Sequence, residues 1–173
     1  MTGNGDGALA DFRDPATIGA AVAAWEAVDD RVMGGVSRSA LVAADGHARF
    51  AGTVSEKNRG GFASVRAALD AAPPAHATHV WIEARGEPAS YYLNLRADGA
   101  FDGVSYRADF RPTRDWSRLE LPLADFRPTF RGRDVPDAPP LAPRDIRQIG
   151  LMIADGQLGP FALDVRAIGT RPD

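Results

Sequence analysis

Apolar and polar residues alternate along most of the chain, and a period of two residues is typical of half-buried β-strands. The segment Tyr91–Arg96 shows the pattern clearly, with an apolar and a polar side: Tyr91, Leu93 and Leu95 against Tyr92, Asn94 and Arg96. This pattern, bounded by glycine, proline and aspartate turns, predicts strands at Gly35–Val42, His47–Val54, Gly61–Arg66, Thr78–Arg85, Tyr91–Arg96, Val104–Phe110, Trp116–Leu121, Ile146–Ile153 and Phe161–Ile168. Many short strands divided by turns predict an all-β fold, a two-layer sandwich.

Three other segments lack this alternation. Pro15–Ala27 is rich in alanine, begins with proline and follows Asp14, which predicts a short N-terminal helix with an aspartate cap. Pro128–Pro143 contains too many prolines for a regular element and predicts a long surface loop. Residues 1–8 are polar and rich in glycine, so we expect a disordered N-terminus before a single domain over residues 9–170.

Composition narrows the classes of function. The absence of cysteine excludes disulfides, thiolate metal sites and cysteine nucleophiles. A net charge of −3 provides no overall field that would attract nucleic acid. We find no signal peptide and no apolar run long enough to span a membrane. The expectation is therefore a cytoplasmic monomer that binds no nucleic acid.

Catalytic signatures are missing as well. The sequence contains no phosphate-binding loop, nucleophile elbow or zinc-protease motif. His76 and His79 are three residues apart at the start of a predicted strand, where they would point to opposite faces and could not share a metal. We expect no enzyme, no cofactor and no metal. Two alternatives stay open: calcium held by the loop aspartates Asp29, Asp30, Asp98 and Asp102, and a hydrolase that pairs Asp109 with another carboxylate.

The polar sides of three predicted strands carry large hydrogen-bonding side chains. They are Phe62, Ser64 and Arg66, then Tyr92, Asn94 and Arg96, and finally Ser105, Arg107 and Asp109. If the strands are neighbours, these residues form one outer patch of arginines and aromatic rings. Such a patch suits a sugar, a carboxylate or a protein partner. The alternative interpretation is a solvated face with cross-strand Arg–Asp pairs that contribute little.

Several long strings resemble the family of complex I intermediate-associated proteins of the thirty-kilodalton group. They include WEAVDDRVMGGVSRS at 25–39, FAGTVSEKNRGGFASVR at 50–66 and IGLMIADGQLGPFALDVRAI at 149–168. The resemblance covers roughly residues 9–168 and implies a jelly-roll sandwich of the galactose-binding-like type, similar to some carbohydrate-binding modules. It also implies a non-catalytic, chaperone-like role in assembling NADH:ubiquinone oxidoreductase, with complex I subunits or intermediates as protein partners.

The resemblance marks particular positions: Trp25, Asp30, Met33, Gly34, Gly35, Ser37, Asn58, Gly60, Gly61, Phe62, Ser64, Arg66, Asp155, Gln157, Gly159 and Phe161. Combined with the polar patch, it gives candidate residues for ligand or partner binding: Asn58, Phe62, Ser64, Arg66, Tyr92, Asn94, Arg96, Arg107, Asp155 and Gln157. Three hypotheses follow. The first is a protein-binding assembly factor, the second a carbohydrate-binding module that uses the outer sheet face, and the third the hydrolase.

Overall fold

A computed structural model describes residues 7–30, 34–100 and 102–173. The strands in these residues are β1 Gly7–Asp11, β2 Glu26–Ala27, β3 Arg38–Ala43, β4 Ala48–Val54, β5 Ala63–Ala68, β6 His79–Gly86, β7 Tyr91–Arg96, β8 Ser105–Phe110, β9 Ser117–Pro122, β10 Arg127–Phe130, β11 Arg133–Asp134, β12 Gln148–Ile153 and β13 Gly159–Arg171. One α-helix, α1, covers Ile18–Ala23, and single 3-10 turns lie at Lys57–Arg59, Leu123–Asp125 and Pro143–Asp145.

The strands form two antiparallel sheets. Sheet A has the order β3-β4-β13-β6-β9, with β1 paired to β13 as well. Sheet B has the order β11-β10-β8-β7-β12-β5-β2. In sheet B, β12 comes from late in the chain and lies between β5 and β7. The predicted polar strands therefore share a sheet, although β5 does not pair with β7.

The hydrophobic core lies between the sheets. Fully buried side chains enter it from both sides: Phe50, Ile82, Leu163 and Val165 from sheet A, and Tyr91, Leu93, Leu95, Ile149 and Leu151 from sheet B. These are the apolar positions of the period-two pattern. Burial at about 25 cal/mol per Å² of apolar surface is the main force that holds the two layers together. The polar positions of the same strands therefore point outward.

All nine predicted strands and the all-β fold class are confirmed, but two elements differ from expectation. The helix begins at Ile18 and ends at Ala23, because Glu26 and Ala27 pair with β5 and so extend sheet B. Pairing at the sheet edge satisfies backbone groups that a longer helix would have to satisfy internally. Asp14 does act near the helix start, since its Oδ1 accepts the Ala16 amide at 2.9 Å.

The proline-rich segment 128–143 is also not entirely a loop. Arg127–Phe130 forms β10, which pairs with β8, and Arg133–Asp134 forms β11. Pro128 is tolerated because a proline can sit where the ladder needs no donor from it. The first strand starts at Gly7, two residues before the domain start that we predicted, and residues 1–6 lie outside the described part of the chain.

Candidate functional site

A row of polar side chains crosses the outer face of sheet B. The strand registers place six residues opposite one another on six neighbouring strands: Glu26, Arg66, Gly150, Asn94, Arg107 and Arg127. Gly150 stands in the middle, where a Cβ would lie 3.4 Å from the Cβ of Arg66 and 3.7 Å from that of Asn94. The glycine leaves this part of the sheet uncovered between two large neighbours.

A cavity of about 740 Å³ lies over this row. We call it the arginine trough and define it by these lining residues: Phe62, Ser64, Arg66, Asn94, Arg96, Asp102, Arg107, Arg131, Gly150, Met152 and Asp155. Four of its charged residues are arginines and two are aspartates. The trough is thus locally positive in a chain whose net charge is −3.

Arg66 and Arg96 lie on the β5 and β7 sides of Gly150. The Arg66 side chain is only 14% exposed, and its Nε is 3.9 Å from Glu26 Oε1. Burial lowers the pKa of Arg66, and the neighbouring positive charge of Arg96 lowers it further. Arg96 is buried, with Nη2 3.5 Å from Asp98 Oδ1. A Cβ at Gly103 would lie 2.8 Å from this Nη2, so the glycine makes room for the guanidinium.

Arg107 is held over an aromatic ring. Its guanidinium carbon is 4.7 Å from the centre of the Tyr92 ring, and its Nε donates to Thr129 Oγ1 at 3.2 Å. The Tyr92 hydroxyl donates to Asp155 Oδ2 at 2.5 Å, and this hydrogen bond, with burial, raises the pKa of Tyr92. Tyr92 thus supports one wall of the trough and fixes both Arg107 and Asp155.

Asp102 introduces a carboxylate among the arginines. Arg131 donates to Asp102 Oδ2 from Nη2 at 2.6 Å and from Nε at 3.2 Å. This hydrogen bonding lowers the pKa of Asp102, and the charges of Arg131, Arg96 and Arg66 lower it further. A carboxylate at this position therefore interacts favourably with three arginines at once.

Asn94 occupies the centre of the trough floor. Its Oδ1 is buried and meets no donor among the described residues, while Nδ2 is 4.0 Å from the Met152 sulfur. Buried polar atoms in proteins are nearly always hydrogen-bonded. Asn94 is therefore an unsatisfied acceptor at the point where a bound molecule would cross β7.

A second cavity of about 780 Å³ adjoins the trough across Arg66 and Gln148, which line both. We call it the alanine pocket, because six alanines and Leu69 line it: Ala23, Ala24, Ala67, Ala68, Ala97, Ala100 and Leu69. Polar and charged residues complete the lining: Glu26, Arg66, Asp98, Arg147 and Gln148. Trp25 borders it and packs against Phe12, with ring centres 6.1 Å apart. The two cavities form one continuous surface with a positive part and an apolar part.

The rim of the trough near Phe62 is fixed by two aspartates. Asp30 is fully buried, and its carboxylate accepts the Ser37 amide at 2.9 Å, the Gly61 amide at 2.7 Å and the Ser37 hydroxyl. Asp29 accepts the Ser39 amide at 3.0 Å, the Ser39 hydroxyl at 2.6 Å and the Ser64 amide at 2.9 Å. We call this network the Asp30 knot; it joins the chain around residues 28–39 to residues 55–64.

The pKa of Asp30 reflects this network. Burial by itself would raise it, but hydrogen bonds from Ser37, Gly61 and Phe62 outweigh burial and bring the pKa below its ordinary value. The carboxylate therefore stays charged at neutral pH and is satisfied by protein donors. Among the described residues, no group of three or more acidic or histidine side chains is placed to hold a metal.

Comparison with known proteins identifies the family. The model of the family described as complex I intermediate-associated protein 30 matches residues 10–165. The chain belongs to that family. An uncharacterized protein of Schizosaccharomyces pombe is 30% identical over an alignment of 175 positions, and the alignment covers 86% of this chain and 78% of the yeast protein. The resemblance inferred from the sequence is confirmed.

Solved structures with the same fold include carbohydrate-binding modules. A family 11 module from Clostridium thermocellum, in complex with a β-1,3-1,4-mixed-linked tetrasaccharide, has a TM-score of 0.70 and 18% identity over 96% of this chain and 95% of that one. The family 11 module of the Clostridium thermocellum cellulase Lic26A-Cel5E has a TM-score of 0.71 and 16% identity over 97% and 95%. At this identity the likeness shows the fold alone, a galactose-binding-like jelly roll.

The Asp30 knot accounts for two of the three strings that carry the family resemblance, those at 25–39 and 50–66. Gly35 and Gly60 flank the Asp30 carboxylate, and a Cβ at either position would come closer to it than side chains tolerate. Gly34 and Gly61 adopt left-handed φ angles of 87° and 139° that disfavour other residues. These strings are therefore two halves of one structural motif. Met33, which belongs to the first string, lies outside the described residues.

The structure brings most candidate binding residues together. Seven of them line the trough: Phe62, Ser64, Arg66, Asn94, Arg96, Arg107 and Asp155, with Tyr92 directly behind. Asn58 is exposed in a turn with φ of 55°, a conformation that asparagine favours. The Gln157 side chain bonds the Ser90 amide at 2.8 Å and its carbonyl at 2.7 Å. Asn58 and Gln157 thus have local structural roles and do not line the trough.

Sequence reasoning missed several trough residues. Gln148, Gly150 and Met152 are alternate positions of a strand that had been predicted, so the period-two pattern was sufficient to find them. Asp102 and Arg131 come from separate loops and gave no such signal. Asp109, the carboxylate of the hydrolase alternative, is exposed and does not line the trough. Among the described residues, no helix has the length and apolar character needed to cross a membrane.

Proposed function

We propose that this domain is a non-catalytic protein-binding module that takes part in the assembly of NADH:ubiquinone oxidoreductase. The observation that carries the proposal is the family match over residues 10–165. The arginine trough is the surface that we assign to partner binding. It is concave, it carries Phe62 at its rim, and its side chains are fixed by neighbours before any partner arrives, which reduces the entropy cost of association.

The partner in this proposal is a complex I subunit or an assembly intermediate. A chaperone-like role would consist of covering a surface of that partner until the next subunit binds. The trough suits such a role because its charged groups would favour association through long-range attraction and allow later release.

A deletion strain tests the assembly role. Loss of the protein should lower the amount of complete complex I on native gels and lower NADH-driven quinone reduction, and the wild-type gene should restore both. The Arg66→Gln/Arg107→Gln double variant should restore them poorly, whereas Arg114→Gln, on an exposed loop, should restore them fully. Unchanged complex I in the deletion strain would reject the assembly role.

Photo-crosslinking tests the surface. Benzoylphenylalanine in place of Phe62 should capture a complex I subunit, while the same residue in place of Val42, exposed on β3 of sheet A, should not. Equal capture at both positions would show that the trough is not the binding surface.

A carbohydrate-binding role is the second candidate, supported by the fold shared with the family 11 modules. Sugar recognition on a sheet face usually depends on accessible aromatic rings. Here Arg107 covers one face of the Tyr92 ring, and Phe62 is the single aromatic residue lining the described part of the trough. Calorimetric titration with a mixed-linked tetrasaccharide decides the matter: absence of heat at millimolar concentration rejects this role.

A further inference from the structure

The charges of the trough define the chemistry of its occupant. Arg66, Arg96, Arg107 and Arg131 line it, against the two carboxylates of Asp102 and Asp155. Arg131 holds Asp102, and Asp155 accepts the Tyr92 hydroxyl. Arg66 and Arg96 carry like charges that repel each other; burial first, and then the charge of Arg96, lower the pKa of Arg66. An anionic ligand relieves this repulsion.

We propose that the arginine trough binds an acidic polypeptide segment of the partner, with its carboxylates on Arg66 and Arg107 and an aliphatic side chain in the alanine pocket. The inference rests on the proposed function, since it names the chemistry of the partner at the same site. Guanidinium groups bind carboxylates through two parallel hydrogen bonds, which favours carboxylates over other polar groups.

The spacing of the arginines fits an extended chain. Arg66 and Arg107 are three strands apart in the same row, a span of about 14 Å at about 4.8 Å per strand. Carboxylates about four residues apart in an extended peptide span nearly the same distance. Between them the peptide crosses Gly150 and Asn94, whose unsatisfied Oδ1 would accept a backbone amide after a small rotation of the side chain.

Asp102 already shows how a carboxylate is received. It interacts with Arg131, Arg96 and Arg66, and it is half-exposed in the loop between β7 and β8. A ligand carboxylate near Arg66 and Arg96 therefore competes with Asp102 for the same positive charges. Removing the Asp102 charge should strengthen binding of the acidic segment.

The alanine pocket favours a polypeptide over an acidic sugar. Its lining offers methyl groups and Leu69 next to Arg66, a surface complementary to a leucine or valine side chain. A sugar acid carries no aliphatic side chain to fill it. An acidic segment that ends in an aliphatic residue uses both cavities at once.

Binding to a peptide array tests the proposal with the whole chain. Each decapeptide carries two glutamates placed one to six positions apart, followed by leucine or serine. In matched control peptides, glutamine or lysine replaces both glutamates. We expect glutamate peptides to bind best at a separation of about four residues, with leucine preferred over serine. Affinity should fall steeply between low salt and about 0.5 M sodium chloride. Absence of binding, equal binding of glutamine peptides or insensitivity to salt would overturn the proposal.

Variants of the trough give the second readout, by fluorescence polarisation with the best glutamate peptide. Arg66→Gln and Arg107→Gln should each weaken binding about tenfold or more. Asp102→Asn should strengthen it, and Arg114→Gln should leave it unchanged. An oligogalacturonate that competes better than the peptide would identify an acidic sugar and overturn the polypeptide assignment.

The two proposals fail separately. If crosslinking at Phe62 captures a complex I subunit but trough variants and salt have no effect on that contact, the acidic segment is wrong and the assembly role stands. If acidic peptides bind in an Arg66-dependent manner while complex I is unchanged in the deletion strain, the acidic site stands and the assembly role is wrong.

Discussion

The outer faces of the two sheets are both rich in arginine, but they pair it differently. On sheet A, Asp164 of β13 lies between two strands and accepts Arg49 Nε at 2.7 Å and Arg85 Nε at 3.0 Å. Further along this face, Arg166 is 3.2 Å from Glu83 and Arg171 is 2.5 Å from Glu120. On sheet B, Arg66 faces Glu26 on one side and Gly150 on the other, and Arg107 faces Asn94 and Arg127.

Cross-strand partners, and not arginine content, distinguish the two faces. Opposite charges directly across a ladder stabilise a sheet, and like charges destabilise it. On sheet A, two arginines also stack on the Trp116 ring. The guanidinium carbons of Arg85 and Arg166 lie 4.6 Å and 4.0 Å from the ring centre. On sheet B, Arg107 and Arg127 instead lie directly opposite each other on neighbouring strands, an arrangement that fits the proposal that a partner supplies carboxylates.

Replacement of Asp30 should have the largest effect, because it dismantles the knot at the rim of sheet B. Asp30→Asn substitutes an amide for an oxygen that accepts the Gly61 amide, so buried donors lose their acceptor. We expect a loss of about 3 kcal/mol in the free energy of unfolding, measured by urea denaturation. Gly60→Ala should destabilise similarly, since its methyl group would overlap the same carboxylate. A change below about 0.5 kcal/mol in both would refute the knot.

Replacement of Asp164 tests whether the face of sheet A depends on its carboxylate. Asp164→Asn leaves Arg49, Arg85 and the nearby His47 without the charge that they share. The Asp164 side chain is 9% exposed, so screening by water is limited, and we expect a loss of about 1–2 kcal/mol. Unfolding in urea measures it. A variant as stable as the wild type would mean that the ion pairs of Asp164 do not stabilise the outer face of sheet A.

Acidification should lower the free energy of unfolding through the carboxylates of Asp30 and Asp164. Burial alone would raise the pKa of Asp164, but hydrogen bonds from Arg49 and Arg85 bring it below its ordinary value. The pKa of Asp30 is lowered as well, by its hydrogen bonds from Ser37, Gly61 and Phe62. A carboxyl group whose pKa is lower in the folded state stabilises fully above its unfolded pKa and loses that contribution as pH falls through the folded value. The free energy of unfolding should therefore be level above about pH 5 and fall below pH 4. Asp164→Asn should flatten the fall; an equal slope in the variant would contradict the assignment.

Most of the fold follows from the alternation of apolar and polar residues, whereas the site depends on partners distant in sequence. The pattern in Tyr91–Arg96 identified both the core side and the trough side of β7, because side-chain direction in a strand is a local property. The insertion of β12 beside β7, the contact of Asp102 with Arg131 and the bonds of Asp30 to Gly61 result from tertiary packing. Tertiary packing also explains why helix propensity was misleading at Glu26–Ala27. These two residues pair with β5 and do not continue the helix.

Replacement of Arg66 should have the smallest effect on stability. The result tests directly whether the arginines of sheet B stabilise the fold as those of sheet A do. Arg66→Gln removes a charge that is repelled by Arg96 and attracted by Glu26, whose Oε1 is 3.9 Å away, and by Asp102. Relief from the repulsion and from burial of the charge offsets most of the lost attraction to Glu26 and Asp102, so we expect a change within about 0.5 kcal/mol in the free energy of unfolding. Arg49→Gln on sheet A is the matched control and should cost more, because it removes a 2.7 Å bond to Asp164. If Arg66→Gln were the more destabilising of the two, Arg66 would hold the sheet together, and the arginines of sheet B would be structural in the way that those of sheet A are.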